Sequence, residues 1–356
     1  MKFWYQPFSI FALLLLPFSY LFRLIVSIRY FLYQKGFKKV FHFRVPIIIV
    51  GNITVGGTGK TPLVIWLANF LKKNGWRPGI ISRGYGDKKH YLPYLVKDAD
   101  DPNITGDEAI LIRKLTACPV MLCIDRVKGV QELLNKTNCN VVISDDGLQH
   151  YRLGRHIEIA MIDGERQCGN GFLLPAGPLR EPVKRLNKVD FVIENALSVV
   201  PRLVRGIQNG CDVALDPADK PRDDGLSRHT GELFRMQLIG SECISLQDPS
   251  KKIPLNHFQN QKVHAIAGIG NPDRFFNSLR ELHIDIIPHV FPDHYLYQAS
   301  DLQFNDNLPV LMTEKDAVKC FRFSVARWWY VPVSVDINPS FGEKFLGVLH
   351  SCESSF

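Results

Sequence analysis

Apolar and polar positions switch between two periods along this chain, and the switches lay out the elements. The opening follows neither: FSIFALLLLPFSYLF, Phe8 to Phe22, holds no charge, and RLIVSIRYFLY carries the apolar character to Tyr33. Those fifteen uncharged residues make about 22 Å of helix, short of the roughly 30 Å hydrocarbon core of a bilayer. Reaching across would need Arg23 near an interface, and Pro17 predicts a kink. Val45 to Val50 (VPIIIV) then reads as a strand buried on both faces. A glycine-rich turn follows, and LVIWLANFLKK has helical spacing closed by Asn74-Gly75. Further strands are expected at Gly79–Ser82, Val120–Ile124, Val141–Ser144, Ile157–Ile162 and Phe191–Glu194, with helices Asp107–Leu115 and Arg126–Asn135 among them. This alternation predicts a parallel sheet with helices on both faces. Thr105-Gly-Asp-Glu108 matches a capping box, which would start the helix at Thr105. From Pro201 to Lys262 the pattern weakens (DPADKPRDDGLSRHTG) and reads as a linker with a hairpin. A second α/β region starts at VHAIAGIG and continues through a helix at Arg274–Leu282 and strands at Val310–Thr313 and Trp329–Val333.

Composition excludes disorder and low complexity: 46% of the 356 residues are apolar and 22% charged. The net charge of +8 is unevenly spread. Residues 1–45 hold Lys2, Arg23, Arg29, Lys35, Lys38, Lys39 and Arg44 and no acid. A basic tail beside an apolar segment suits an anionic membrane surface, not nucleic acid, which would need its basic stripe on the folded body. No A-x-A-like site follows the apolar run, which argues against a secretory signal. The eight cysteines show no CxxC pair and no zinc-ligand spacing, and read as free thiols of a reducing compartment.

The chemistry concentrates after the first strand, in Gly51-Asn-Ile-Thr-Val-Gly-Gly-Thr-Gly-Lys60-Thr61. In a strand–glycine loop–helix setting, backbone N–H groups cradle phosphate oxygens. Thr54, Val55, Gly56, Gly57, Thr58, Gly59, Lys60 and Thr61 are the expected ATP-binding residues. Lys60 would reach the β- and γ-phosphates and Thr61 would ligate Mg²⁺. A strict P-loop has glycine where this chain has Thr54. Asp145 and Asp146 of VVISDDGLQH end an apolar strand, where a magnesium-organising acid belongs. Arg83 follows a second strand, Asp107-Glu108 opens a helix, and Asp293-His294 could supply a base for a hydroxyl. The expected fold is α/β: a P-loop NTPase-like parallel sheet with helices on both faces, a smaller α/β C-terminal domain and a hydrophobic N-terminal helix. Residues 1–44 are expected to be a membrane-association segment, 45–200 the P-loop domain, 201–262 a linker, and 263–356 a C-terminal domain completing the active site.

GNITVGGTGKTP, SRGYG, GDEA, DDGLQH, LLPAGPLREP, PDHY and TEKDAVK occur in this order. As a set they resemble the tetraacyldisaccharide 4'-kinases of lipid A synthesis in Gram-negative bacteria, from about residue 10 to 335. The resemblance implies ATP- and Mg²⁺-dependent phosphorylation of the 4'-hydroxyl of tetraacyldisaccharide 1-phosphate, giving the 1,4'-bisphosphate, at the cytoplasmic face of the inner membrane. It further implies that Asp107 and His294 form the base dyad, that Glu108 assists the metal with Thr61, and that Asp145 and Asp146 organise the Mg²⁺–phosphate site. Arg83, Arg126, Gln149, Arg180 and Glu181 match positions near phosphates or substrate. With Asp107 and His294 expected in different domains, closure would assemble the dyad. The implied partners are the lipid A disaccharide monophosphate precursor and the lipid surface. The rival reading is a membrane-attached nucleotide switch of partitioning-ATPase type, in which a lysine precedes the double glycine where this chain has Val55.

Overall fold

The structure, a computed structural model, describes residues 2–6, 9–84, 93–196, 232–323 and 325–353; residues 201–231 of the expected linker lie outside the described residues. Two compact units emerge, each discontinuous in sequence: residues 1–60, 140–236 and 337–356 form the first, and residues 61–139 and 237–336 the second. This differs from the consecutive segments expected from chain order. Parallel strands are joined by crossovers, so distant stretches of chain share one layer.

The first unit is built on the strand Ile47–Asn52, every residue of which is buried. It pairs in parallel with Val141–Asp145 on one side and Ile157–Asp163 on the other. Phe191–Asn195 lies beside Ile157–Asp163 and Glu232–Ile239 beside that, again parallel. Burial on all sides explains the unbroken apolar runs. The common direction gathers the strand ends Asn52, Asp145, Asp163 and Asn195 at one edge, where ligands bind in open α/β sheets. Helix Pro339–Glu353 covers the Phe191 end of this sheet, Phe341 lying edge-on to Phe191 at 5.4 Å and to Phe234 at 5.2 Å between ring centroids. The last helix of the expected C-terminal domain therefore packs in the first unit.

Ile10–Gln34 is one 25-residue helix that runs through Pro17 without a break. Among the described residues it is the one helix long and apolar enough to cross a membrane. Ala12 and Ser19 are buried, and Ser19 Oγ donates to the Leu173 carbonyl at 2.8 Å. Arg29 donates to the Gln149 carbonyl at 3.1 Å, and the rings of Tyr30 and Tyr33 pack on Tyr151. Leu14, Phe18, Leu21, Ile25 and Ile28 are exposed; their spacing of three and four residues draws one apolar stripe along the helix.

In the second unit Pro78–Ser82 pairs in parallel with Val120–Leu122. A six-stranded sheet has the order Lys252–Pro254, Glu242–Ser245, Trp328–Val331, Val310–Thr313, Lys262–Ala267, Asp285–Val290. Its last four strands are parallel, and the first two form an antiparallel hairpin. Both faces are covered: Phe276 and Leu279 meet Val263, Ala265 and Leu311, whereas Tyr297 and Ala317 meet Ile266, Val310 and Met312, as period-two alternation requires. The short helix Glu314–Cys320, which follows Val310–Thr313, packs on helix Asp107–Thr116.

Two expectations are corrected. Thr105 does not cap the Asp107 helix; it ends a separate turn, Pro102–Thr105, with its hydroxyl on the Asp101 carbonyl at 3.2 Å. Gly106 takes the cap position with φ 90°, which glycine adopts without side-chain strain. Cys118, Cys123, Cys139, Cys243, Cys320 and Cys352 are free thiols, but Cys168 is disulfide-bonded. Sequence spacing does not report which loops come within bonding distance.

Candidate active site

The phosphate-type loop joins the buried strand Ile47–Asn52 to the helix that opens at Lys60. Gly56 and Gly59 have φ of 115° and 87°, and a Cβ on Gly59 would come within 2.4 Å of Asn195 Nδ2. Asn195 at the end of its strand donates to the Thr58 carbonyl at 3.0 Å, pinning the loop from below. Thr54, at the position where the strict motif has glycine, is buried and forms an antiparallel bridge with Leu179. Val55 N donates to the Pro178 carbonyl at 2.8 Å, so the Leu173–Glu181 loop braces this segment. Extended pairing, rather than a glycine turn, suits the threonine here. Thr58 Oγ1 is buried with no hydrogen-bond partner among the described residues. An unpartnered hydroxyl beside the loop amides fits an anionic ligand, since a buried polar atom left unmatched is costly.

Lys60 Nζ donates to Asn52 Oδ1 at 3.2 Å and lies 3.4 Å from Asp146 Oδ1. Arg180 reaches Asp146 Oδ2 at 3.2 Å. Burial pushes the Asp146 carboxyl up, but Lys60 and Arg180 outweigh it and hold the pKa below the usual range. Asp145 is the buried last residue of its strand, and Asp146 turns out of it with φ 51°. Gln149 donates to the Asn52 carbonyl at 3.1 Å and to Glu181 Oε1 at 2.6 Å. Glu181 also accepts from Tyr151 and pairs with Arg185. Both of its oxygens are engaged inside the protein, and Gln149 and Glu181 brace the strand end that carries Asn52.

A second cluster lies within the second unit. Asp107, first residue of its helix, is 3% exposed. Its Oδ1 accepts from Glu108 N at 2.9 Å and meets His294 Nδ1 at 2.9 Å. Burial raises the Asp107 pKa, but the hydrogen bond from His294 and the cations Lys315 and Lys319 reverse this and bring it far below the ordinary range. For His294, burial acts downward, yet the bond to Asp107 and the charges of Asp107 and Asp293 leave its pKa raised despite Lys315. His294 has φ 61° and donates its backbone N–H to Asp293 Oδ1 at 3.1 Å, which turns the ring toward Asp107. Lys315 joins Glu108 Oε1 at 2.9 Å to Asp293 Oδ1 at 3.1 Å. The expectation that Asp107 and His294 sit in different domains and need closure to meet is thus corrected: both are in one unit and already bonded, because the Asp107 helix packs beside the Glu314 helix.

The remaining expected residues are placed less tightly. Arg126 is buried at the start of its helix and donates to the Cys123 carbonyl at 2.6 Å. Arg83 is exposed just beyond Pro78–Ser82, and Glu108 is paired with Lys315. Among the described residues no three His, Cys, Asp or Glu side chains converge enough to hold a metal by themselves. Magnesium does not require such a cage, since it commonly binds one or two carboxylates with phosphate oxygens and water. Sequence reasoning missed Asn52, Asn195 and Lys319. The signal for Lys319 was present, because TEKDAVK places Asp316 and Lys319 one helical turn apart.

A family profile described as LpxK, tetraacyldisaccharide-1-P 4'-kinase, matches residues 11–350. A tetraacyldisaccharide 4'-kinase of Nitrosococcus oceani is 46% identical over 351 residues, covering 98% of this chain and 94% of the relative. One from Coxiella burnetii is 45% identical over 348 residues, with the same two coverages of 98% and 94%. Among solved structures, the fold is similar to LpxK from Aquifex aeolicus, a crystal structure in complex with ATP. That match has a TM-score of 0.73 and 29% identity, covering 96% of this chain and all of the other.

Proposed function

The chain belongs to the tetraacyldisaccharide-1-P 4'-kinase family, and on that premise we propose how its residues perform the reaction. The enzyme is a lipid A 4'-kinase: it transfers the ATP γ-phosphate to the 4'-hydroxyl of tetraacyldisaccharide 1-phosphate. Phosphoryl transfer asks for positioning and charge neutralisation. The loop amides from Thr54 to Thr61 cradle the triphosphate, and the Lys60 ammonium meets the β- and γ-phosphates. Thr61, Glu108, Asp145 and Asp146 would hold Mg²⁺, which would supply charge neutralisation at the phosphates. Arg180 holds Asp146 in place, while Arg83 and Arg126 offer positive charge to phosphate groups. His294 Nε2 takes the hydroxyl proton, and Asp107 orients the ring through Nδ1 and stabilises the imidazolium.

The observation that carries this reading is the 2.9 Å Asp107–His294 bond between residues 187 apart in the chain. A kinase with an alcohol acceptor uses such a base; a nucleotide switch does not. Incubation with ATP, Mg²⁺ and the disaccharide monophosphate, read by mass analysis, is expected to show one added phosphate on the lipid. Lipid-independent ATP hydrolysis with unchanged lipid supports the switch instead.

The acceptor is acylated and stays in the bilayer, so the enzyme comes to it. The N-terminal helix serves as an interfacial anchor, its stripe of Leu14, Phe18, Leu21, Ile25 and Ile28 facing lipid and its other side held by Ser19, Arg29 and Tyr30. The basic residues Lys35 to Arg44 meet the anionic cytoplasmic leaflet of the inner membrane. Burying one leucine contributes about 1.5–3 kcal/mol. Leu14→Glu/Leu21→Glu is therefore expected to lower the vesicle-bound fraction at least about tenfold without changing the fold, measured by sedimentation and circular dichroism. Undiminished sedimentation would show that the anchor lies elsewhere.

A further inference from the structure

Behind the Asp107–His294 pair lies a second, fully enclosed pair that the reaction as described leaves without a role. Asp316 is 0% exposed and saturated with donors. Its Oδ2 accepts from Gly268 N at 2.9 Å and Thr313 Oγ1 at 2.6 Å, and its Oδ1 accepts from the Tyr297 hydroxyl at 3.0 Å. Thr313 also caps the helix, accepting from Asp316 N at 3.2 Å. The carboxylate is thereby fixed by groups from three separate segments of the second unit. On it rests Lys319, whose Nζ lies 3.0 Å from Asp316 Oδ1 and 5.1 Å from the Tyr297 ring centroid.

Lys319 Nζ also lies 3.5 Å from Asp107 Oδ2. That oxygen accepts no hydrogen bond among the described residues, whereas Oδ1 serves both His294 and Glu108 N. The side chains of Lys319 and Asp107 are each only 3% exposed. In such a place a carboxylate keeps its charge only beside a partner cation, and a lysine likewise needs its own carboxylate. The order Asp316, Lys319, Asp107, His294 alternates in charge and runs from the rigid interior to the ring that meets the acceptor.

We propose that Asp316 and Lys319 are positioning residues for the phosphoryl transfer: Lys319, seated on Asp316, holds the Asp107 carboxylate in the one rotation that presents Oδ1 to His294. The inference rests on the dyad reading given above. Without Lys319 the Asp107 carboxylate can rotate, and the imidazole loses its fixed aim at the hydroxyl. Misplacement of a catalytic group by about 1 Å costs on the order of 10²-fold.

A double-mutant cycle on the full-length enzyme tests this, with turnover measured at saturating ATP and lipid. Lys319→Met is expected to lower kcat by about 30–100-fold, leaving the KM for ATP within about twofold, and Lys319→Arg to restore most of the loss. In the His294→Ala background, the same Lys319→Met change is expected to cost less than about threefold, because residues acting as a unit are not additive. Breaking one side of a buried pair can unfold a protein, so Asp316→Asn/Lys319→Met, which removes both charges, is measured alongside. It is expected to fold and to show the same loss of kcat. A full Lys319→Met loss in the His294→Ala background overturns the proposal, as does unchanged kcat in the folded double variant. Full activity of His294→Ala alone overturns the dyad reading itself, and with it this one.

Discussion

Lys60→Ala is expected to lower kcat by about 10²–10³-fold, the range for removing one preorganised charge from a phosphoryl-transfer site. The ammonium is already held before any ligand arrives, by Asn52 Oδ1 at 3.2 Å and Asp146 Oδ1 at 3.4 Å. The energy of ordering a long flexible side chain is thus spent on folding, and its charge is available without rearrangement when negative charge shifts along the triphosphate. Alanine leaves Asp146 with Arg180 as partner, so the variant is expected to fold and melt close to the parent. Lys60→Arg does not rescue, because a planar guanidinium cannot take the place of a compact ammonium at the head of a tight loop. Initial rates with saturating ATP and disaccharide monophosphate, together with a melting curve, decide the matter. A kcat within threefold of the parent would remove Lys60 from the phosphate site.

Much of this is legible in the sequence alone, for a physical reason. Ile47–Val50 and Val141–Ile143 are buried on both faces and read as unbroken apolar runs, and Ile157–Ile162 keeps the pattern around one buried acid, Glu158. The glycines of the loop are similarly legible, since Gly56 and Gly59 take φ angles that other residues resist. What escaped are features decided by distant contacts. Helix Pro339–Glu353 belongs with Phe191 and Phe234, and no local pattern records which unit an amphipathic helix will cover. The Thr105 capping box is a sound local signal that lost to the preceding turn. Asn195 lies about 140 residues from the loop it pins, and an asparagine at a strand end looks like any turn residue until Thr58 is beside it. Asp107 and His294 were named through their motifs, but their union in one unit depended on two helices packing together.

That union has a measurable consequence in the pH dependence. His294 must be neutral to accept a proton, so kcat falls as the pH drops through its pKa. Burial alone would lower that value, but the Asp107 bond and the Asp107 and Asp293 carboxylates outweigh burial and Lys315, leaving it raised. The acidic limb of the kcat profile is therefore expected above the ordinary imidazole value of about 6.5. Asp107→Asn keeps the shape of the side chain but removes its charge, and Lys315 then acts on His294 with less compensation. The variant is expected to lose about 10²–10⁴ in kcat and to move its remaining acidic limb downward. ATP affinity should change little, because a base acts in the chemical step. His294→Ala should lose a comparable factor and the limb with it. If Asp107→Asn instead leaves the limb where it was, the ring is not titrating against that carboxylate, and His294 does not take the proton from the sugar.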